Sequence, residues 1–237
     1  MINGKSIGVV LPAYNCSKTL YSVYKEIPHS IVGEIILVDD CSSDKTFYMA
    51  QQLNMQHIIK HDLNLGYGAN QKTCYNKALE LGVDIVVMLH PDYQYRPSLI
   101  YNMAEIIANT SNKIVFASRI KDGNALSNGM PLYKYIANVV LTKFQNCVLN
   151  KNLSEYHTGY RAYSREVLQQ IDYNSNANGF IFDNQIILQF FEKGYEIFEI
   201  ACPAKYNNDS SSIGILRSSI YGMKIIYYTV MYKFKRK

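Results

Sequence analysis

Ile7-Gly8-Val9-Val10-Leu11-Pro12-Ala13-Tyr14-Asn15 opens the folded part of this chain. A short apolar run ends abruptly in a proline and a polar turn. The same grammar returns in Glu34-Ile35-Ile36-Leu37-Val38-Asp39-Asp40, in Gln56–Lys60, and in Ile85–Leu89 before His90-Pro91-Asp92. Between these runs lie stretches at helical spacing: Ser17 to Lys25, Asp44 to Leu53 with Asp44 as a helix cap, and Ala69 to about Leu81. Wholly apolar strands that alternate with helices predict a parallel sheet covered on both faces. In such sheets a ligand sits beyond the carboxyl ends of the strands. Asn15, Asp39, Asp40 and Asp92 all fall at those ends.

The second half is less regular. Helices are expected at Ser98–Ala108, Tyr133–Leu149, Arg165–Ile171 and Phe182–Lys193, and strands at Ile114–Ser118, Gly159–Tyr163 and Tyr195–Ala201. Asp122–Gly129 and Asn207–Ser212 read as polar loops, and Ile215–Phe234 as a last helix rich in Ile, Tyr and Met. The 237 residues fit one domain, 1–212, followed by an amphipathic helix and basic tail, 213–237.

The formal charge of +5 is unevenly placed. Six cations and no acid follow Ile213, which leaves 18 cations against 19 acids in the first 212 residues. The body is therefore not basic, and nucleic acid is not an expected partner. Five scattered cysteines without a metal-type cluster fit a reduced, cytoplasmic compartment. Arg217 and Lys224 interrupt the last apolar run, so this helix is expected to lie on an anionic membrane surface, or to pack on the body or on a second copy, and not to span a bilayer.

Five strand-end motifs carry chemistry. Tyr14 and Asn15 in Pro12-Ala13-Tyr14-Asn15 suit a planar base and a sugar or phosphate. Asp39 and Asp40 offer carboxylates to a ribose hydroxyl or a base N–H, although either can serve as a helix cap. Gly66 and Gly68 open a helix whose N-terminus favours an anion, but their spacing lacks the dinucleotide fingerprint. Asp92 and Gln94 are hard oxygen ligands on one turn, which suits Mg2+ or Mn2+ shared with a diphosphate, and His90 adds a nitrogen or only a hydrogen bond. Glu155-Tyr156-His157-Thr158-Gly159-Tyr160-Arg161 gathers an acid, an imidazole and a guanidinium, and Asp183 opens a helix as a cap or a general base.

In this order, Pro-Ala-Tyr-Asn, Val-Asp-Asp-x-Ser-x-Asp, Asn-x-Gly-x-Gly and x-x-Asp-x-Gln resemble the family 2 glycosyltransferases of GT-A fold, over roughly residues 6–213. The branch most alike contains dolichol-phosphate mannosyltransferase and bacterial polyprenol-phosphate glycosyltransferases. The resemblance implies a Rossmann-like, mostly parallel sheet flanked by helices. It implies that Pro12, Tyr14 and Asp40 border base and ribose, that Asp39 shapes the turn, and that Gly66 and Gly68 lie near the nucleotide. His90 and Asp92 then occupy the Asp-x-Asp positions, with Gln94 a metal ligand, Arg119 facing the phosphates and Thr158-Gly159 on the acceptor side. Asp183 falls near the acid that serves as base towards hydroxyl acceptors. The implied reaction is inverting transfer from a UDP- or GDP-sugar to a lipid-phosphate or saccharide acceptor in cell-envelope glycan synthesis. Two departures stand out: His90 replaces the first Asp, and Lys205–Ser212 replaces an Arg followed by Gly-x-Ser-Lys. The first allows an alternative, a nucleotide-sugar-binding or scaffolding subunit with weak turnover.

Overall fold

The computed structural model describes residues 1–203 and 215–235, with the side chains of the final helix described over 218–234. Along the chain run β1 (Ile7–Ala13), α1 (Leu20–Glu26), β2 (Glu34–Asp39), α2 (Thr46–Gln52), β3 (His57–Lys60), α3 (Tyr67–Glu80), β4 (Ile85–Met88) and α4 (Leu99–Asn109). There follow β5 (Ile114–Ser118), α5 (Leu132–Leu149), β6 (Arg161–Ser164), α6 (Arg165–Gln170), α7 (Phe182–Glu192), β7 (Phe198–Ala201) and α8 (Ile215–Lys235). The expected loop at Asn207–Ser212 and the boundary at 212 lie outside the described residues.

The strands form one sheet in the order β3-β2-β1-β4-β6-β5-β7. Every pairing is parallel except those of β6, which runs against both β4 and β5. The alternation of the first strands divides the core. Ile7, Val9, Leu11, Ile35, Leu37, Ile85 and Val87 enter one layer with α1 and α4, while Val10, Ile36, Val38, Val86 and Met88 enter the other with α3, α6 and α7. A strand period of two puts successive residues on opposite faces, so a run buried on both faces must be apolar throughout. Burial of all seven residues of β1 follows from that.

The antiparallel β6 is the departure from the strand–helix repeat. It has four residues and begins at Arg161, whereas the apolar pattern suggests a start at Gly159. Nothing in a run this short encodes its direction; α5 and the turn after it return the chain from the opposite end. The consequence is functional, because β6 brings residues 155–161 to the carboxyl ends of β1, β2 and β4.

The first turn of α3 is pressed against residues 177–179. The N–H of Gly68 donates to the Asn178 carbonyl (2.6 Å). A Cβ on Gly68 would lie 2.5 Å from the Ala177 carbonyl oxygen and 2.6 Å from Phe182 Cβ. Replacement by alanine must move backbone, so Gly68→Ala is expected to destabilise the fold by about 2 kcal/mol or more. Urea unfolding midpoints check this; an unchanged midpoint would mean that residues 177–179 do not pack there.

Candidate active site

A cleft of ≈ 480 Å3 opens at the carboxyl ends of the central strands. Of the residues singled out from sequence, Pro12, Ala13, Tyr14, Asn15, Asp40, Gly66, His90, Asp92, Gln94, Arg119, Gly159 and Asp183 line it. Asp39, Gly68 and Thr158 do not. Asp39 is fully buried, with Oδ1 accepting from the Ser42 amide (3.2 Å) and hydroxyl, so it shapes the turn. Gly68 is packed behind the wall. Thr158 spends its hydroxyl on the Ala117 carbonyl (2.6 Å) and supports the cleft without reaching it.

The strand-end loops are stitched to each other. Asn15 donates its amide N–H to Ser42 Oγ (2.8 Å), and its Oδ1 accepts from the Ser43 amide (2.9 Å). Asp40 ties the β2 loop to the β3 loop: Oδ1 lies 2.8 Å from His61 Nδ1 and accepts from Leu65 N (2.9 Å), and Oδ2 accepts from Gly66 N (2.9 Å). Tyr14 lines the cleft and is 54% exposed.

After β4 the turn Pro91–Gln94 places Asp92 and Gln94 together. Asp92 Oδ1 accepts from the Gln94 amide (3.0 Å), and Tyr93 takes φ +60°, a left-handed conformation that bulky residues rarely adopt outside functional turns. Among the described residues no three His, Cys, Asp or Glu side chains gather to hold a metal by themselves. A carboxylate, an amide oxygen and an imidazole at the mouth of a cleft fit an ion that takes its remaining ligands from a bound diphosphate.

Arg119 is held rather than loose. Its backbone N–H and Nε donate to the two oxygens of the buried Glu155 carboxylate (2.7 and 2.9 Å), and Nη2 reaches the His157 carbonyl (3.0 Å). Burial alone would raise the Glu155 pKa, but the Arg119 guanidinium and these hydrogen bonds outweigh it and hold the carboxyl below its usual range. Sequence reading noticed Glu155 as part of an acceptor-like cluster; its contact with Arg119 gives it a positioning role.

Asp183 is equally committed. Oδ1 accepts from Gln71 Nε2 (3.0 Å) and pairs with Arg161 Nη1 (3.1 Å), while Oδ2 accepts from the Tyr67 hydroxyl (2.9 Å). Arg161 is wholly buried over the Phe116 ring. Burial and the Asp183 carboxylate both push the Tyr67 phenol pKa up, so Tyr67 keeps its proton. The Tyr67 oxygen also lies 3.1 Å from His90 Nε2, and burial lowers the His90 pKa against the pull of Asp92 and Asp183.

Sequence reading passed over Tyr67, Asn70, Tyr95, Phe180 and Tyr221, all of which line the cleft. Tyr67 stands between the two glycines of the Asn-x-Gly-x-Gly motif. Tyr221 belongs to α8, more than a hundred residues from most of the wall. His157, from the Glu155–Arg161 cluster, also lines the cleft. Its Nε2 is buried and has no hydrogen-bond partner among the described residues, and its ring meets Tyr221 edge-on at 6.0 Å.

Fold and cleft together define a nucleotide-sugar glycosyltransferase of the GT-A class. The chain belongs to glycosyl transferase family 2, whose family model matches residues 8–172. It is 28% identical over 245 residues to a UDP-N-acetylglucosamine–dolichyl-phosphate N-acetylglucosaminyltransferase of Methanococcus voltae, covering 97% of this chain and 96% of that protein. It is 23% identical over 199 residues to a polyprenol monophosphomannose synthase of Mycolicibacterium smegmatis, covering 81% and 74%. Among solved structures, glucosyl-3-phosphoglycerate synthase from Mycobacterium tuberculosis in complex with UDP shares the fold at a TM-score of 0.75 and 17% identity, over 97% of this chain and 80% of that one. Its complex with Mn2+, UDP-glucose and phosphoglyceric acid matches at 0.74, with the same identity and coverage.

Burial pushes the His157 imidazole down to about 4 from an ordinary 6.5, against Glu155, which favours the charged form. The unfolded chain therefore takes up this proton first as pH falls. Stability present above pH ~6.5 is lost progressively towards pH ~4. His157→Phe removes the group, so the loss of unfolding free energy between pH 7 and pH 5 should be smaller in the variant by ~1–2 kcal/mol. Equal losses in urea titrations would show that the imidazole charges freely in the fold.

Proposed function

We propose that this protein transfers a sugar, with inversion, from a UDP-sugar to the phosphate of a polyprenol phosphate. The observation that carries the choice of acceptor is the state of Asp183. Its carboxylate is spent on Arg161, Gln71 and Tyr67, and protonating it would leave a buried guanidinium without its counter-charge. It is poorly placed to deprotonate a hydroxyl. A phosphate monoester, with a second pKa of about 6, is already a nucleophilic anion and needs no base. The names of the Methanococcus and Mycolicibacterium relatives support that acceptor class, and the former, with the UDP complexes of the structural neighbour, supports UDP over GDP.

In this reading Tyr14 and Asn15, with the turn fixed by Asp40, receive the nucleoside. Asp92 and Gln94 hold Mg2+ or Mn2+, which when bound neutralises charge on the leaving diphosphate. Arg119, fixed by Glu155, adds a positive charge that needs no rearrangement as the bond breaks. A phosphate oxygen forms its bond to the anomeric carbon from the face opposite the diphosphate, the bond from that carbon to the β-phosphate oxygen breaks, and UDP leaves. No proton is moved.

Purified protein with Mn2+, UDP-N-acetylglucosamine or UDP-glucose, and undecaprenyl or dolichyl phosphate should give an organic-extractable sugar product. The matching polyprenols without phosphate should give less than about a tenth of that rate. Equal transfer to free hydroxyl acceptors would overturn the acceptor assignment. Tight UDP binding with no transfer to any acceptor would favour the binding-subunit alternative that His90 suggests.

An acceptor of this class supports a position at the cytoplasmic face of a membrane in the same reading. No helix among the described residues is long and apolar enough to cross one. Instead α5 and α8 pack together, through Gln145 and Thr229, and leave Leu132, Ile136 and Val140 on one helix and Ile220, Met223, Tyr227, Met231 and Phe234 on the other exposed. Lys224 and Lys233 are exposed on the same helix as the second group. Apolar side chains with flanking lysines suit an anionic interface, where each cation contributes ~1 kcal/mol. The protein should float with liposomes containing anionic lipid, and Met223→Glu with Tyr227→Glu should reduce the bound fraction about tenfold. Lipid-independent behaviour with a concentration-dependent dimer would assign this face to a second copy.

A further inference from the structure

Two polar groups that line the cleft have no partner within the fold. His157 Nε2 is buried and makes no hydrogen bond among the described residues, a costly state that a bound polar group would relieve. Tyr221, whose ring lies 6.0 Å from that imidazole, brings a hydroxyl to the same cleft, and no described residue hydrogen-bonds to it. Burial and the Asp183 carboxylate push the Tyr221 phenol pKa up, so it remains an O–H donor.

A cation without a counter-charge stands close by. Asn138 of α5 donates to Glu155 Oε1 (2.7 Å), the oxygen that also holds Arg119 Nε. Lys134 lies one turn earlier on that face of α5. It is half-buried, and no carboxylate pairs with it among the described residues. Burial and the Arg119 guanidinium both lower its pKa. Glu155 is already matched by Arg119 and Asp183 by Arg161, so neither neutralises Lys134. Arg119 in turn reaches the His157 carbonyl (3.0 Å), which links this cation to the two unpartnered groups.

The helices that carry Lys134 and Tyr221 run in the same direction. A Cβ at Gly222 would lie 3.7 Å from Leu141, and further along both helices Gln145 reaches Thr229 (3.4 Å). Their N-terminal ends therefore lie at one end of the pair. Lys134 is in the first turn of α5, which no side chain caps, and Tyr221 is in the second turn of α8. The exposed Leu132 and Ile136 flank the one, and Ile220 and Met223 the other. Charge and a helix N-terminus favour an anion there, and the flanking side chains favour an apolar chain attached to it.

We propose that Lys134 and Tyr221, with His157 as a third contact, receive the phosphate of the polyprenyl phosphate, and that its isoprenoid chain runs along the exposed first turns of α5 and α8. The inference rests on the acceptor proposed above. It makes these side chains the determinants of a phosphate over a hydroxyl acceptor, because an ammonium and a phenol O–H both form charge-assisted hydrogen bonds to a phosphate oxygen.

Farnesyl phosphate, a short acceptor analogue, tests this without turnover on the intact protein with UDP and Mn2+. Acylation of the lysines of the natural chain, read by mass spectrometry, should slow at Lys134 about tenfold when farnesyl phosphate is bound, whereas farnesol and inorganic phosphate should leave it unchanged. Tyr221→Phe, which keeps the ring contact with His157, and likewise His157→Phe and Lys134→Met, should each weaken farnesyl phosphate about tenfold while UDP affinity stays within about twofold. Lys134→Arg should restore most of the loss. Lys134 that stays reactive while farnesyl phosphate is bound overturns the inference and leaves the acceptor reading standing. So does an unchanged KM for undecaprenyl phosphate in Tyr221→Phe and Lys134→Met. Equal protection by inorganic phosphate overturns the shared seat for headgroup and chain, and equal loss of UDP affinity assigns the side chains to the donor instead. Absence of farnesyl phosphate binding together with absence of transfer to undecaprenyl phosphate overturns the acceptor reading itself. The labelling of the natural chain decides even where a variant fails to fold.

Discussion

The buried pair between Arg161 and Asp183 orders the cleft. Arg161 lies at the start of β6 and Asp183 in the first turn of α7, so the pair locks the antiparallel strand to that helix. The guanidinium also donates to the carbonyls of Thr158 (2.8 Å) and Tyr156 (3.2 Å), which curls residues 156–158 around it. A buried charge stripped of its partner costs ~3–5 kcal/mol, so these groups have little freedom to separate. Everything attached to them inherits that rigidity. Gln71 and Tyr67 bring α3 to Asp183, and Tyr67 brings His90. The acid that motif reading proposes as a base is the anchor of a scaffold.

The first hundred residues were legible because parallel strands buried on both faces must be apolar, and their ends must be polar where the ligand binds. Strand ends, glycine turns and the Asp-x-Gln turn all follow from that rule, and with them most of the cleft wall. The second half was legible as elements but not as geometry. Strand β6 is four residues long, carries a buried arginine, and reads identically in either direction. The roles of Glu155 and Asp183 depend on what lies across from them, and pairing across more than twenty residues leaves no local signal. Thr158 shows the same limit from the other side. Its position in a Thr-Gly pair marks the right place, but its hydroxyl points into the protein.

His90 and Gly159 illustrate how a substitution within a motif is accommodated. An imidazole is bulkier than a carboxylate and has one edge to bury. The missing side chain at Gly159 supplies that space, and Gly159 is itself fixed through its N–H to the Tyr95 hydroxyl (3.0 Å), one turn after the motif. A glycine that the motif alone assigns to the acceptor side is thus a packing partner of His90. The two sides of the cleft are coupled at that contact.

The net positive charge of the chain comes from the six cations after Ile213, because the first 212 residues hold 18 cations and 19 acids. The body has acids at its strand ends, where a cation and a nucleotide diphosphate belong. Helix α8 carries Lys224 and Lys233 outward beside its exposed apolar side chains, while Ile225 and Thr229 bury its inner side. That inner side also delivers Tyr221 to the cleft against His157. An acceptor with a phosphate head and an apolar tail needs both environments within one molecular length. For the acceptor proposed above, α8 would offer both, because it reaches the cleft through Tyr221 and faces outward with apolar residues on its other side.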